Sequence, residues 1–257
     1  MTTDTHTRPT HPHRRMDPMR KISLAGGVLY LITFAASLPQ LKLFKDVIDN
    51  RDYIRTTGSS TSLLWGALLE VITAAAGIGT AVALYPVAKR VSQTAAIGFV
   101  TSRVVEATLM VVGVVSLLSV VTLRHDFAGA TGAQANALTV TGHALVTMRQ
   151  WTFLLGPGLI PGVNALFLGY VMYRSRLVPR IIPTVGLIGA PLILMSATAT
   201  VFGGWAQVSA VGALCALPVA AWEFSLGVWL TFKGFKPTPL AAATVASAAA
   251  HEALPVG

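Results

Sequence analysis

The chain has 257 residues, of which 53% are hydrophobic and 11% charged, less than half the charged share of about 25% in an ordinary soluble domain. With a mean hydropathy of +0.65, this composition excludes a disordered chain, a disulfide scaffold and most soluble folds. The formal charge is +9, and the single cysteine, Cys215, rules out an intramolecular disulfide and a CxxC redox pair.

Several apolar runs exceed the length of about 18 residues that suffices to cross a bilayer. The expected class is an all-α, six-span transmembrane helix bundle. A basic tail over 1–21, read as disordered, precedes the first span, Ile22–Leu43, which is too long for a signal-peptide core. The others follow as Ser62–Pro86, Ala95–Leu123, Val146–Met172, Arg180–Phe202 and Gln207–Phe232, making a membrane domain of 22–234. An Ala-rich, flexible tail is expected over 235–257. No loop or tail is long enough to fold as a soluble catalytic domain, so any chemistry belongs between the helices or at a membrane surface.

Lys and Arg set the orientation. Twelve cations (Arg8, Arg14, Arg15, Arg20, Lys21, Lys89, Arg90, Arg174, Arg176, Arg180, Lys233 and Lys236) fall on one side, against Lys42, Lys45, Arg51, Arg55 and Arg124 on the other. The richer side is expected to be cytoplasmic, with both termini on it. Juxtamembrane placement accounts for the basic charge without nucleic acid. Tyr85, Tyr170 and Tyr173 at one set of span ends, and Trp65, Trp151 and Trp205 at the other, fit interfacial belts. Small residues four apart, Ala75/Gly79/Ala83 and Gly186/Ala190, allow close helix packing.

Four stretches carry a family resemblance: RKISLAGGVLYLIT over 20–33, RVVEA over 103–107, YRSRLVPR over 173–180 and EFSLGVWLTFKG over 223–234. Their order and spacing resemble a large bacterial membrane family catalogued as domain of unknown function 4386. The resemblance runs from about Arg20 to Gly234 and implies a six-helix integral protein of a bacterial plasma membrane. It implies no substrate, reaction or cofactor.

Ionisable residues inside spans are the main chemical signal, since each costs about 2.5–3.5 kcal/mol at the centre of a spanning helix unless it faces other helices or water. They are Glu70, Arg103, Glu106, Arg149 and Glu223. Arg103 and Glu106 are three residues apart and share a helix face, and Glu223 falls at similar depth in the sixth span. One reading is a structural ion-pair network. The other is a cavity for a small hydrophobic or cationic solute, kept open because three acids face two arginines. Arg149 either pairs with Glu70 or Glu106 or snorkels outward.

In the fourth span, Gly156-Pro-Gly-Leu-Ile-Pro-Gly162 places Pro157 and Pro161 one turn apart. That is either a kink, repaired by neighbours such as Asn164, or a broken helix beside a site. His143 is expected in the preceding external loop. His6, His11 and His13 lack the support a metal site needs. No HExxH, GxSxG, Walker loop or dinucleotide fingerprint occurs, so no catalytic residue, metal or cofactor is assigned. The partners implied are the lipid bilayer and a small solute, or, in an accessory protein, another membrane component.

Overall fold

The computed structural model describes residues 17–237. Within them the chain is helical, with no strand. The elements are α1 (Pro18–Leu43), α2 (Lys45–Asp49), a 3₁₀ turn (Tyr53–Arg55), α3 (Thr61–Val91), α4 (Gln93–Asp126), α5 (Gly132–Leu155), α6 (Ile160–Ser175), α7 (Ile181–Val201) and α8 (Ala210–Phe232). Six membrane-crossing units result: α1, α3, α4, the α5–α6 pair, α7 and α8. The protein is a multi-pass membrane protein.

The helix starts and stops follow local chemistry. Asp17 accepts a hydrogen bond from the Met19 amide at 3.1 Å, and Pro18 occupies the first turn, where its missing N–H costs nothing. The helix therefore begins before Ile22, and residues 18–21 of the expected tail are its first turn. The rest of that tail, with His6, His11 and His13, and the expected tail beyond Pro237 lie outside the described residues.

The expected external loop ahead of the fourth span is also largely helix. α4 runs to Asp126 and α5 starts at Gly132, about four turns before Val146. Hydropathy passes over this segment because Thr, Gln, Asn and His dilute it. Yet Ala135, Leu138 and Gly142 recur at helical spacing and are buried. His143 lies on α5, exposed, rather than in a loop.

Around the bundle the helices are neighbours in the order α1–α3–α4–α6–α7–α8, and α8 returns to α1. Glycines set the closest approaches. A Cβ on Gly27 would lie 2.5 Å from the Thr231 amide nitrogen, and one on Gly186 would lie 2.5 Å from the Trp222 ring. Arg20 closes the ring by donating to the carbonyls of Leu230 at 2.9 Å and Thr231 at 2.6 Å, the cation meeting the negative end of α8. The start of α1 and the end of α8 thus share what we call the basal end, together with the α3–α4 turn and Arg174–Arg180.

The basal half of the ring is filled with apolar side chains. Leu84, Val87, Phe99, Leu168, Met172, Leu226 and Leu230 form one buried cluster. At the opposite, distal end, Phe44, Val47, Ile54, Leu63, Leu117, Val120 and Leu138 form a second core. There the segment between the first two spans folds as α2 and the 3₁₀ turn beneath the α4–α5 hairpin. Trp65 and Trp151 are exposed at distal positions, while Tyr170 and Tyr173 are exposed at basal ones, as interfacial belts require.

Candidate functional site

All five in-span ionisable residues pair, and they divide into two groups. In the first, Arg103 on α4 donates from Nη1 to Glu106 Oε2 at 3.0 Å, and from Nη2 to Glu223 Oε1 on α8. Nη2 also donates to the Tyr30 hydroxyl on α1 at 3.2 Å. The guanidinium carbon lies 5.3 Å from the Tyr30 ring centre and 5.7 Å from that of Phe99, within cation–π range. Arg103 stands ten residues into α4, about 15 Å from its basal end and thus well within the membrane-crossing length of the helix. α4 and α8 are not neighbours in the ring, so the long side chains of Arg103 and Glu223 meet across its interior.

α6 completes this group. Asn164 donates from Nδ2 to Glu106 Oε2 at 2.8 Å, and its Oδ1 accepts from the Ser102 hydroxyl at 2.5 Å. Asn164 therefore orients Glu106 instead of mending the helix backbone. The side chains of Arg103, Glu106 and Glu223 are 5%, 10% and 13% exposed. With all three ionised, the group carries one negative charge in excess. Glu106 Oε1 and Glu223 Oε2 accept no hydrogen bond among the described residues, and Arg103 Nε is buried without a partner.

The second group is balanced. Arg149 Nη2 on α5 lies 3.0 Å from each oxygen of Glu70 on α3, and both side chains are almost fully buried. Of the two expected outcomes for Arg149, pairing with Glu70 is the one observed, and outward snorkelling is not. Phe44 and Phe153 lie 5.3 and 4.9 Å from the guanidinium. Arg149 reaches α3 by passing over α4 at Gly113, where a Cβ would stand 2.8 Å from Arg149 Cδ. Three acids and two arginines thus resolve into one pair and one triad, and the surplus carboxylate belongs to Arg103.

The fourth span is broken, not merely kinked. Residues 156–159 form a turn between α5 and α6. Gly158 N–H bonds to Phe153 O at 2.8 Å, and Ile160 N–H to Gly156 O at 2.9 Å, so backbone groups of the turn itself replace part of the lost ladder. Pro157 sits in the turn and Pro161 in the first turn of α6, where it needs no N–H partner. A Cβ on Gly156 would lie 3.0 Å from Leu109 Cβ and 3.5 Å from the Glu106 carbonyl oxygen. The break therefore packs on α4 beside Glu106.

Two cavities, of about 240 and 690 Å³, lie at the distal end, and none of the five ionisable residues lines either. Tyr30, which accepts from Arg103, and Ser102, which donates to Asn164, support the triad, yet neither stood out in the sequence. The available signal was a polar group far from a span end.

Over residues 25–234 the chain matches the family model described as Domain of unknown function (DUF4386). No curated protein and no solved structure matches it. The chain belongs to that family.

Proposed function

We propose that this family member binds a small cationic solute, the proton included, at Arg103, Glu106 and Glu223, and that this binding serves its movement across the membrane. The observation that carries the reading is the charge imbalance: two carboxylates share one guanidinium, and each keeps one oxygen without a hydrogen bond among the described residues. An uncompensated charge at this depth is costly, and a cation between the free oxygens cancels it.

The second reading is an accessory membrane protein whose charges only fix helix positions. It draws on the burial of Arg103 and Glu106 and on the apolar filling of the basal half.

Melting temperatures of purified protein in neutral detergent, titrated with protons, sodium and methylammonium, separate the two. Cation binding requires stabilisation by one of these ions that disappears in Glu223→Gln. A wild-type protein indifferent to all three supports the accessory reading.

The cation distribution supports an orientation with the basal end and both termini in the cytoplasm, in what we read as a bacterial plasma membrane. Reporter fusions at either terminus should be active as cytoplasmic fusions, and a periplasmic signal at the C-terminus would refute that orientation.

A further inference from the structure

We infer that the larger distal cavity is a binding site for the headgroup of an anionic phospholipid, independent of the central triad. This cavity, of about 690 Å³, lies between the segment 54–60 and the α4–α5 hairpin, a size suited to a small-molecule ligand. Its floor is apolar, formed by Ile54, Val121, Ala135 and Leu138, and its rim carries Arg55, Arg124 and His125, with no carboxylate in the wall among the described residues.

Arg124 is fixed in place. Its Nε donates to the Thr56 carbonyl at 2.7 Å and its Nη1 to the Ser60 hydroxyl at 3.0 Å, and the guanidinium stacks 4.7 Å from the Tyr53 ring centre. Nη2 donates to nothing among the described residues. It faces Gly58, whose φ of +126° suits glycine and whose missing side chain leaves that approach open. A second guanidinium, Arg55, is exposed at the rim. His125 points outward, its side chain 89% exposed and bonded to the exposed Asp126, so it adds little to recognition.

Depth selects the ligand. Arg124 stands about 46 Å along α4 from Gln93, and a bilayer with its headgroups is about 40–45 Å thick. With Lys89 and Arg90 at the basal surface, the cavity falls at the level of the distal headgroups. Two guanidiniums around an uncompensated space suit a phosphate, and the apolar floor suits the glycerol and first methylenes below it.

The test is isothermal titration of the full-length protein in neutral detergent with three probes: short-chain phosphatidylglycerol, phosphatidylcholine of the same chain length, and inorganic phosphate. Phosphatidylglycerol is expected to bind at least about tenfold more tightly than either of the others. Arg55→Gln removes one charge-assisted contact and is expected to weaken it by about tenfold or more with no change in melting temperature, since Arg55 is exposed. Arg55 is the better probe because Arg124 also ties segment 54–60 to α4. Equal affinity for phosphatidylcholine would overturn the inference, as would equal affinity for inorganic phosphate, which would mark a bare-anion site. Unchanged phosphatidylglycerol binding in Arg55→Gln would overturn it as well.

Discussion

Removing Arg103 is the most informative perturbation of the central triad. In Arg103→Ala the Glu106 and Glu223 carboxylates lose their shared cation, Tyr30 loses its donor, and the contacts to the Tyr30 and Phe99 rings vanish. Side-chain hydrogen bonds inside membranes average about 0.6 kcal/mol each, so three of them set a floor of about 2 kcal/mol. Stranding a buried partner raises the loss toward about 3–5 kcal/mol. Unfolding free energies from sodium dodecyl sulfate titration in mixed micelles supply the assay. The triad geometry further requires that Glu106→Gln recover a good part of the loss, because the double variant removes one of the two stranded charges. A coupling below about 0.5 kcal/mol, with the two losses simply adding, would show that these residues do not act together and would refute the reasoning.

Three further outcomes follow from the same geometry. Replacing the balanced pair by Glu70→Gln with Arg149→Met is expected to leave unfolding free energy within about 1 kcal/mol of wild type, while Arg149→Ala alone costs about 3 kcal/mol or more; the same titration reads both. Gly113→Val puts a side chain where Arg149 crosses α4, and should destabilise by about 1–3 kcal/mol, a loss that shrinks when Arg149 is already Met. Gly27→Leu drives α1 off α8 at Thr231 and should lower the melting temperature and expose the neighbouring Gly227 region to cysteine labelling; unaltered melting would mean that the α1–α8 contact does not hold the ring closed.

Much of this arrangement was legible from residue types. The apolar runs located the six crossing units because hydrocarbon thickness imposes a minimum length, and the in-span charges stood out because each is costly alone. Spacing placed Arg103 and Glu106 on one face, and depth matched Glu223 to them. The partner of Arg149 was not legible, since nothing local decides between Glu70 and Glu106. That choice depends on Gly113, which lets Arg149 pass over α4 to Glu70, and on the helix order that turns α8 toward α4. The α4–α5 hairpin escaped because hydropathy registers membrane burial, whereas Ala135, Leu138 and Gly142 are buried against a protein cap. The break at Gly156–Leu159 was legible as a disturbance, but its place beside Glu106 required the packing of α5 on α4.

Infrared difference spectroscopy of the carboxyl groups, comparing cation-free and cation-saturated protein in wild type, Glu106→Gln and Glu223→Gln, tests the central claim most directly. Cation binding at the triad predicts a carboxyl change in wild type that Glu223→Gln abolishes and Glu106→Gln alters, with Glu70→Gln leaving it intact. A wild-type spectrum without any cation-dependent carboxyl change, or a change that persists in both triad variants, would contradict it.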